Sequence, residues 1–582
     1  ASGSIAVNGE ILAEQIGGQI FIDTWGLLWP GDMEKAALYA ERAASVSHDR
    51  NGLYGARFLA ACIARAFDGG SVREVIEAAL TMIPQDSLYA QVVRAVMAFH
   101  DEHPDDWRAC RRYLEAECGY DRYGGVCHII PNAGVCVLAL LYGKGDFSRT
   151  VEIATMCSWD TDCNAGNVGT IMGVLCGLEG IPEHYRKPIN DCIVCSSVSG
   201  YLNIVDFPTF CKELALLSYR LHQQEPPRKL ADSVRFGELY FDFDLPGSTH
   251  GIRTSNPFKT PVIRHTRRVS YGESRGSLEI IFDRITNVES SKIYYKPFYR
   301  REDFNDEKYK PTFAPQCHSG QKVEFRLYLD QWEGAPLRIT PYVRDTFSKE
   351  DILLPSVELT NGAWNTLSFT IPQLSGSFAD EVGFMIDSPT STAASRALGA
   401  LYIGRMHVYG GGSYTIDWRK QAVEFTSVTP MAQHRGEWTL QDGILHYAIE
   451  QHAAAFTGNY YTRDVEVETT FTPLTGHSHG FVARAQGIER YYWLGLSENH
   501  TVSIRKHDFG CTELASAEFH WVPGQTYNLT MVVRGSRLQL YVNGSLAVEA
   551  EDAQYQHGMY GIASLSDAVG SIGEFKVKAF TV

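Results

Sequence analysis

The chain has 582 residues, 44% apolar and 12% aromatic, which excludes a disordered or collagen-like polypeptide and implies two to four separate cores. Acidic residues outnumber basic ones 68 to 52, and the resulting net charge of −16 repels phosphate backbones, so nucleic acid is not expected as a partner. No run reaches the ~20 apolar residues of a membrane helix, so no membrane partner is expected; the opening residues lack a signal-peptide pattern, and cytoplasmic or secreted localisation stays open.

From the start to about residue 222 the apolar residues recur at helical spacing. Met33 to Val46, after the Pro30-Gly31-Asp32 punctuation, reads as an amphipathic helix. In the segment from Ser71 to Leu80, Val72, Val75, Ile76, Ala79 and Leu80 form one stripe, and Ser71 with Glu74 forms a capping box. Trp107 to Cys118, entered through Asp105-Asp106, and Phe210 to Leu221 behave alike. Of the 13 cysteines, 11 lie between Cys62 and Cys211, a distribution that suits reduced thiols of a helical core better than a disulfide framework. Cys192 and Cys195 have the spacing of half a zinc or redox site, but no second pair follows and no role is assigned to them.

Residues 1–222 are therefore expected to form an all-helical domain and 223–231, with Pro226-Pro227, an exposed linker. Beyond it the period changes to two, as in the stretch from Lys322 to Leu329, which predicts a β-sandwich over 232–410. Gly410-Gly411-Gly412-Ser413 reads as a hinge. A second antiparallel sandwich is expected over 411–582, with the hairpin turn Asn543-Gly544.

The sharpest chemical cluster runs from Trp159 to Gly169 and holds Asp160, Asp162, Cys163, Asn164 and Asn167 just before a small-residue helix expected over 165–178. Two carboxylates this close repel unless a cation or proton sits between them, and oxygen donors suit Mg²⁺, Mn²⁺ or Ca²⁺. The alternative is that both aspartates cap the helix.

Asp160-Thr161-Asp162-Cys163-Asn164-Ala165, the Gly-rich helix and Gly177 to Pro182 resemble the C-terminal motif of the ADP-ribosylglycohydrolase family. The segments from Ala44 to Phe67, with His48, and from Ile130 to Tyr142, with Asn132, are similar to two further family segments. The resemblance, over about residues 1–220, implies an all-helical hydrolase that holds two Mg²⁺ or Mn²⁺ ions and cleaves at C1 of an ADP-ribosyl ribose. It implies Asp160 and Asp162 as catalytic groups and metal ligands, with Cys163 as a third ligand where the family usually has Thr or Ser. His48, Asp23, Asn132, Asn164 and Asn167 are candidate substrate contacts; structural hydrogen bonding is the other reading for each.

The family's earlier acidic motif has no match in the 47 residues before His48, and Asp105-Asp106 reads as a helix cap. Two ions need about a dozen ligand positions, so the expectation is a missing N-terminal segment or a second chain that completes the site, or else an impaired domain. The opening Ser2-Gly3-Ser4 resembles a mid-domain loop of such proteins.

The middle domain resembles jelly-roll sandwiches, and the last resembles concanavalin-like or laminin-G-like ones. Trp438, Tyr492 and Trp493 are the candidate carbohydrate-binding rings there, with core packing as the alternative. The substrate is then an ADP-ribose-type molecule or a glycan, and a non-catalytic glycan binder is the reading from another class.

Overall fold

The protein is described from a computed structural model covering residues 9–255, 262–304 and 309–581, so Ser2-Gly3-Ser4 lies outside the described residues. Among the described residues, those up to 189 together with 211–227 form one unit, and 190–210 together with those from 228 onward form the other.

In the helical unit, local caps set the helix starts. The helices in chain order are α1 (Glu10–Ala13), α2 (Gly17–Ile20), α3 (Asp23–Leu28), α4 (Met33–Ala44), α5 (Asn51–Ala66), α6 (Val72–Leu80) and α7 (Leu88–Glu102). They continue with α8 (Trp107–Cys118), α9 (Ile129–Gly143), α10 (Phe147–Met156) and α11 (Thr161–Cys176). Asp32 accepts from the Lys35 amide, and Ser71 and Glu74 close a reciprocal box. Asp106 accepts from the Ala109 amide at 2.8 Å, so this aspartate caps α8.

Every residue of α9 is buried, and α7, α8, α10 and α11 all pack against it. A helix apolar on all sides can be stable only in such a central position. The end of α1 and the start of α5 approach so closely that a Cβ on Gly52 would stand 2.3 Å from the Ala13 carbonyl oxygen. Alanine gains up to about 1 kcal/mol of helix propensity over glycine, but forcing backbones apart costs roughly 1–3 kcal/mol. Gly52→Ala is therefore expected to lower the melting temperature by several degrees, and an unchanged or raised Tm would contradict the close packing.

Residues 190–210, expected in the helical domain, group with the β-rich unit. Cys192–Val194 pairs antiparallel with Ile204–Asp206, Asp191 accepts from the Thr249 amide at 2.6 Å, and the Asn203 amide donates to the Thr312 carbonyl at 2.6 Å. Part of the expected linker is helical, as Arg228–Asp232.

The first sandwich has one sheet in the order Trp364–Thr370, Lys322–Glu333, Ala397–Tyr409, Ser277–Ile285, Val262–Thr266. Its second sheet runs Asp351–Leu353, Arg338–Asp345, Ala379–Asp387, Ser291–Tyr295, Arg253–Thr254. Strand alternation sends Val323, Phe325, Leu327 and Leu329 into one core with Val343, Val382 and Phe384. The second sandwich joins a nine-stranded and a seven-stranded sheet. Asn543 and Gly544, with φ of 48° and 83°, turn its hairpin, as the residue types require.

The glycine run 410–413 is a tight crossing, not a loose hinge. Ser413–Ile416 pairs with Phe575–Thr581, and a Cβ on Gly411 would stand 2.3 Å from the Ala579 carbonyl oxygen. No helix among the described residues is long and apolar enough to cross a membrane.

Candidate active site

The helix starts about one turn earlier than expected: α11 begins at Thr161, which makes Asp160 its N-cap and puts Asp162 in the first turn. Asp160 has φ of 38° in the left-handed region and its side chain makes no capping hydrogen bond. Ser158, two residues earlier, is also left-handed at φ of 63°. Non-glycine residues enter this region at a cost, so surrounding contacts must hold the turn.

Those contacts are visible. The Asn164 amide donates to the Trp159 carbonyl at 2.6 Å, closing the turn from within. The Arg111 guanidinium lies 3.6 Å from the Trp159 ring centroid and its Nε donates to the Cys157 carbonyl at 2.9 Å. Tyr120 also packs against Trp159, with ring centroids 5.1 Å apart. The start of the helix is thus held by its neighbours and not by a capping bond from Asp160.

Asp160, Asp162 and Cys163 place one donor atom each within 4.8 Å of one another, with Asp162 exposed and the other two half-buried. Burial pushes the Cys163 thiol up to about 12, reinforced by its hydrogen bond to Asp160 and by the charges of Asp160 and Asp162. Cys127 joins from a distant loop: burial and the nearby Asp160 charge raise its thiol as well. That loop is pinned by Gln15, whose Oε1 accepts from the Cys127 amide at 3.0 Å, and by the Ile16 amide donating to the Cys127 carbonyl at 2.9 Å. The two carboxylates fit a hard divalent cation. A neutral thiol does not, so Cys163 adds little to such a shell.

Asn132, Asn164 and Asn167 are completely buried, and their side chains bond within the helical unit, although Asn167 Oδ1 has no hydrogen-bond partner there. The Asn164 amide donates to Asn132 Oδ1 at 2.8 Å, Asn132 donates to the His128 carbonyl at 2.8 Å, and the Cys136 thiol donates to Asn164 Oδ1 at 3.4 Å. The chain of contacts continues through Gln19, which accepts from the Tyr89 hydroxyl at 3.1 Å.

Asp23 opens α3 but bonds to α11: it accepts from Asn167 Nδ2 at 2.9 Å and from the Thr170 hydroxyl at 2.6 Å. Burial lifts its carboxyl to about 6, against the pull of those two hydrogen bonds. His48 is buried and packs over Gly17, with Nδ1 2.8 Å from the Ser47 hydroxyl; burial lowers its pKa. The structure thus gathers Asp160, Asp162 and Cys163, links Asn132 to Asn164 and Asp23 to Asn167, and sets His48 against α2. Sequence reasoning missed Cys127, Arg111 and Tyr120, because nothing in their spacing relates them to Asp160.

In the last sandwich Trp438, Tyr492 and Trp493 are core residues, which corrects their assignment as carbohydrate-binding rings. Trp438 is 6% exposed, and Tyr492 and Trp493 are fully buried. Alternation does send successive rings of this strand to opposite faces, but both faces are covered: Tyr492 enters the core between the sheets, and Tyr491 and Trp493 enter a cluster on the other face that includes Phe456 and Met559.

The chain thus has a helical domain bearing paired carboxylates at a helix start, followed by β-sandwiches. Residues 6–220, less than half of the chain, match the family model for ADP-ribosylglycohydrolase. No curated protein matches the chain. Among solved structures, the carbohydrate-binding module CBM66 from Bacillus subtilis is 15% identical over 24% of this chain and 94% of its own, with a TM-score of 0.23. A galectin-like-fold protein of unknown function from Bacillus subtilis is 14% identical over 25% of this chain and 87% of its own, TM-score 0.23. Domain 4 of AbnA, a GH43 extracellular arabinanase from Geobacillus stearothermophilus, is 14% identical over 26% of this chain and 77% of its own, TM-score 0.20.

Proposed function

We propose that the helical domain is a metal-dependent hydrolase of a ribosyl glycosidic bond, N- or O-linked, of the ADP-ribosylglycohydrolase type. The observation that carries this reading is the release of Asp160 from capping: it sits at the N-cap in a left-handed conformation, makes no capping bond, and lies with Asp162 in one donor group. A helix start that only needed a cap would use the aspartate side chain for it.

Asp160 and Asp162 would hold a divalent Mg²⁺ or Mn²⁺ ion, which supplies orientation of the ribose hydroxyls and a more acidic water near C1. Asp162, exposed in the first turn, would be the carboxylate that accepts a proton from an attacking water. As the leaving group departs, positive charge builds on the sugar ring, and the two carboxylates stabilise it. Asn164 and Arg111 keep the turn in register, so the aspartates do not have to be ordered by substrate. The remaining ligand positions of a two-ion centre would come from an upstream segment or a second chain. The appended sandwiches favour a second substrate class, a furanoside-containing glycan, cleaved by the same chemistry. The neutral Cys163 thiol favours the non-catalytic alternative, a degenerate helical domain on a glycan-binding protein.

The test is product analysis. Incubation with ADP-ribosylated protein in Mn²⁺ should release free ADP-ribose, and EDTA should stop it; reducing sugar from arabinan instead would select the glycan reading. Neither product, with the upstream segment present, would refute the hydrolase assignment.

A further inference from the structure

Between α4, α5 and the turn that joins α6 to α7, the helical unit holds an open recess of about 320 Å³. Its place follows from the faces of α5. Tyr54 and Arg57, three residues apart, share one side of this helix and line the recess. Gly52 and Gly55 lie on the other side, where an added Cβ would stand 2.3 Å from the Ala13 carbonyl oxygen and 2.4 Å from the Ile129 side chain. The recess is therefore on the side of α5 away from the central helix α9.

The walls are fixed by their own bonds. Arg57 Nε donates to the Met82 carbonyl at 2.6 Å, which ties the turn to α5. Gln85 Nε2 closes that turn by donating to the Leu80 and Ile83 carbonyls at 2.6 and 2.9 Å, and the Ile83 side chain is anchored in the helical core. Arg57 Nη1 donates to Glu41 Oε2, so an ion pair joins α5 to α4 along one wall. A pocket formed before its ligand arrives loses little on ordering.

These bonds use Nε and Nη1 of Arg57 and Oε2 of Glu41, and they leave Nη2 as a donor and Oε1 as an acceptor on the same ion pair. The two side chains are 30% and 35% exposed, so a molecule in the recess can reach them. Charge decides what fits. A carboxylate would be drawn to Arg57 and repelled by Glu41, and a cation the reverse. A neutral carboxamide offers its C=O to Nη2 and its N–H to Oε1, with no charge left unanswered. Met82 and Pro84 add apolar surface beside the Tyr54 ring, which suits a ligand whose other end is apolar.

We infer that this recess is a binding site for small neutral carboxamides with an apolar body, held by Arg57 and Glu41. The inference does not rest on the reaction proposed for the aspartate pair, and binding should be unaffected by EDTA.

The experiment is saturation-transfer NMR on the full chain with three probes of one shape: benzamide, the anion benzoate and the cation benzamidinium. Benzamide should bind with a Kd of about a millimolar, a range open to a ligand of this size. The two charged probes should bind at least about fivefold more weakly, the loss of one hydrogen bond. Glu41→Gln leaves the Arg57 charge unanswered, so the order should invert in favour of benzoate. Thr81→Trp, at an exposed position that lines the recess, should fill it and abolish binding with an unchanged Tm. No benzamide binding up to its solubility limit, equal affinity for the three probes, an unaltered order in Glu41→Gln, or binding that survives Thr81→Trp would overturn the inference.

Discussion

Asp160→Asn and Asp162→Asn are each expected to weaken Mn²⁺ binding by more than about 100-fold, since even partners outside the ligand shell cost 10–100-fold when lost. Hydrolysis should fall with it. The melting temperature should barely move, because asparagine tolerates the left-handed conformation that position 160 adopts and the Asp160 side chain makes no capping bond. Asn164→Ala should show the opposite pattern. It removes the side-chain donor to the part-buried Trp159 carbonyl and one of the two donors to Asn132 Oδ1, which keeps the Tyr120 hydroxyl. It also leaves the buried Cys136 thiol without its acceptor, at a cost of roughly 1–3 kcal/mol for a polar group left unpaired, so Tm falls. Titration calorimetry and thermal unfolding on the three variants separate the roles; aspartate variants that keep wild-type Mn²⁺ affinity would remove the metal from the reading.

The β-rich unit is expected to lose much of its stability between pH 6.5 and about 4. His318 is buried against Tyr414, ring centroids 4.2 Å apart, and neither of its ring nitrogens has a hydrogen-bond partner in the protein. Burial holds its pKa down to about 3, and burial also lowers His479 to about 4. Both are neutral in the folded state where an unfolded histidine, near 6.5, takes up a proton. Above 6.5 neither state is charged and the pair is silent; below it the unfolded chain binds more protons, so stability falls with pH until the folded pKa is reached. At pH 5 each histidine contributes about 2 kcal/mol of destabilisation, together a large part of a typical margin of 5–15 kcal/mol. His318→Phe should reduce the loss between pH 7 and pH 5 by about 2 kcal/mol and raise Tm at neutral pH, since a ring with no unpaired nitrogen replaces one with two. Denaturant unfolding at the two pH values measures this, and an unaltered pH dependence in the variant would exclude His318 as a source.

Periodicity and caps carried much of the architecture. The stripe from Val72 to Leu80, the box of Ser71 and Glu74 and the alternation from Lys322 to Leu329 depend on neighbours three or two residues away, and all appear in the structure. The candidate site was legible only at its centre. Asp160, Asp162 and Cys163 are adjacent in the chain, and a helix start keeps them adjacent in space. Cys127 reaches the same group through Gln15 and Ile16, far from it in sequence, and no local pattern encodes that.

Residue type and spacing thus determined the change from helices to sandwiches and the aspartate pair, because these depend on hydrogen bonds and side-chain directions set within a turn or a pleat. Only the tertiary structure decided that Asn132 and Asn164 bond to one another in the interior, that residues 190–210 pair within the β-rich unit, and that Trp438, Tyr492 and Trp493 are core. Which side of a sheet is covered depends on what packs there from elsewhere in the chain, and alternation alone says nothing about that.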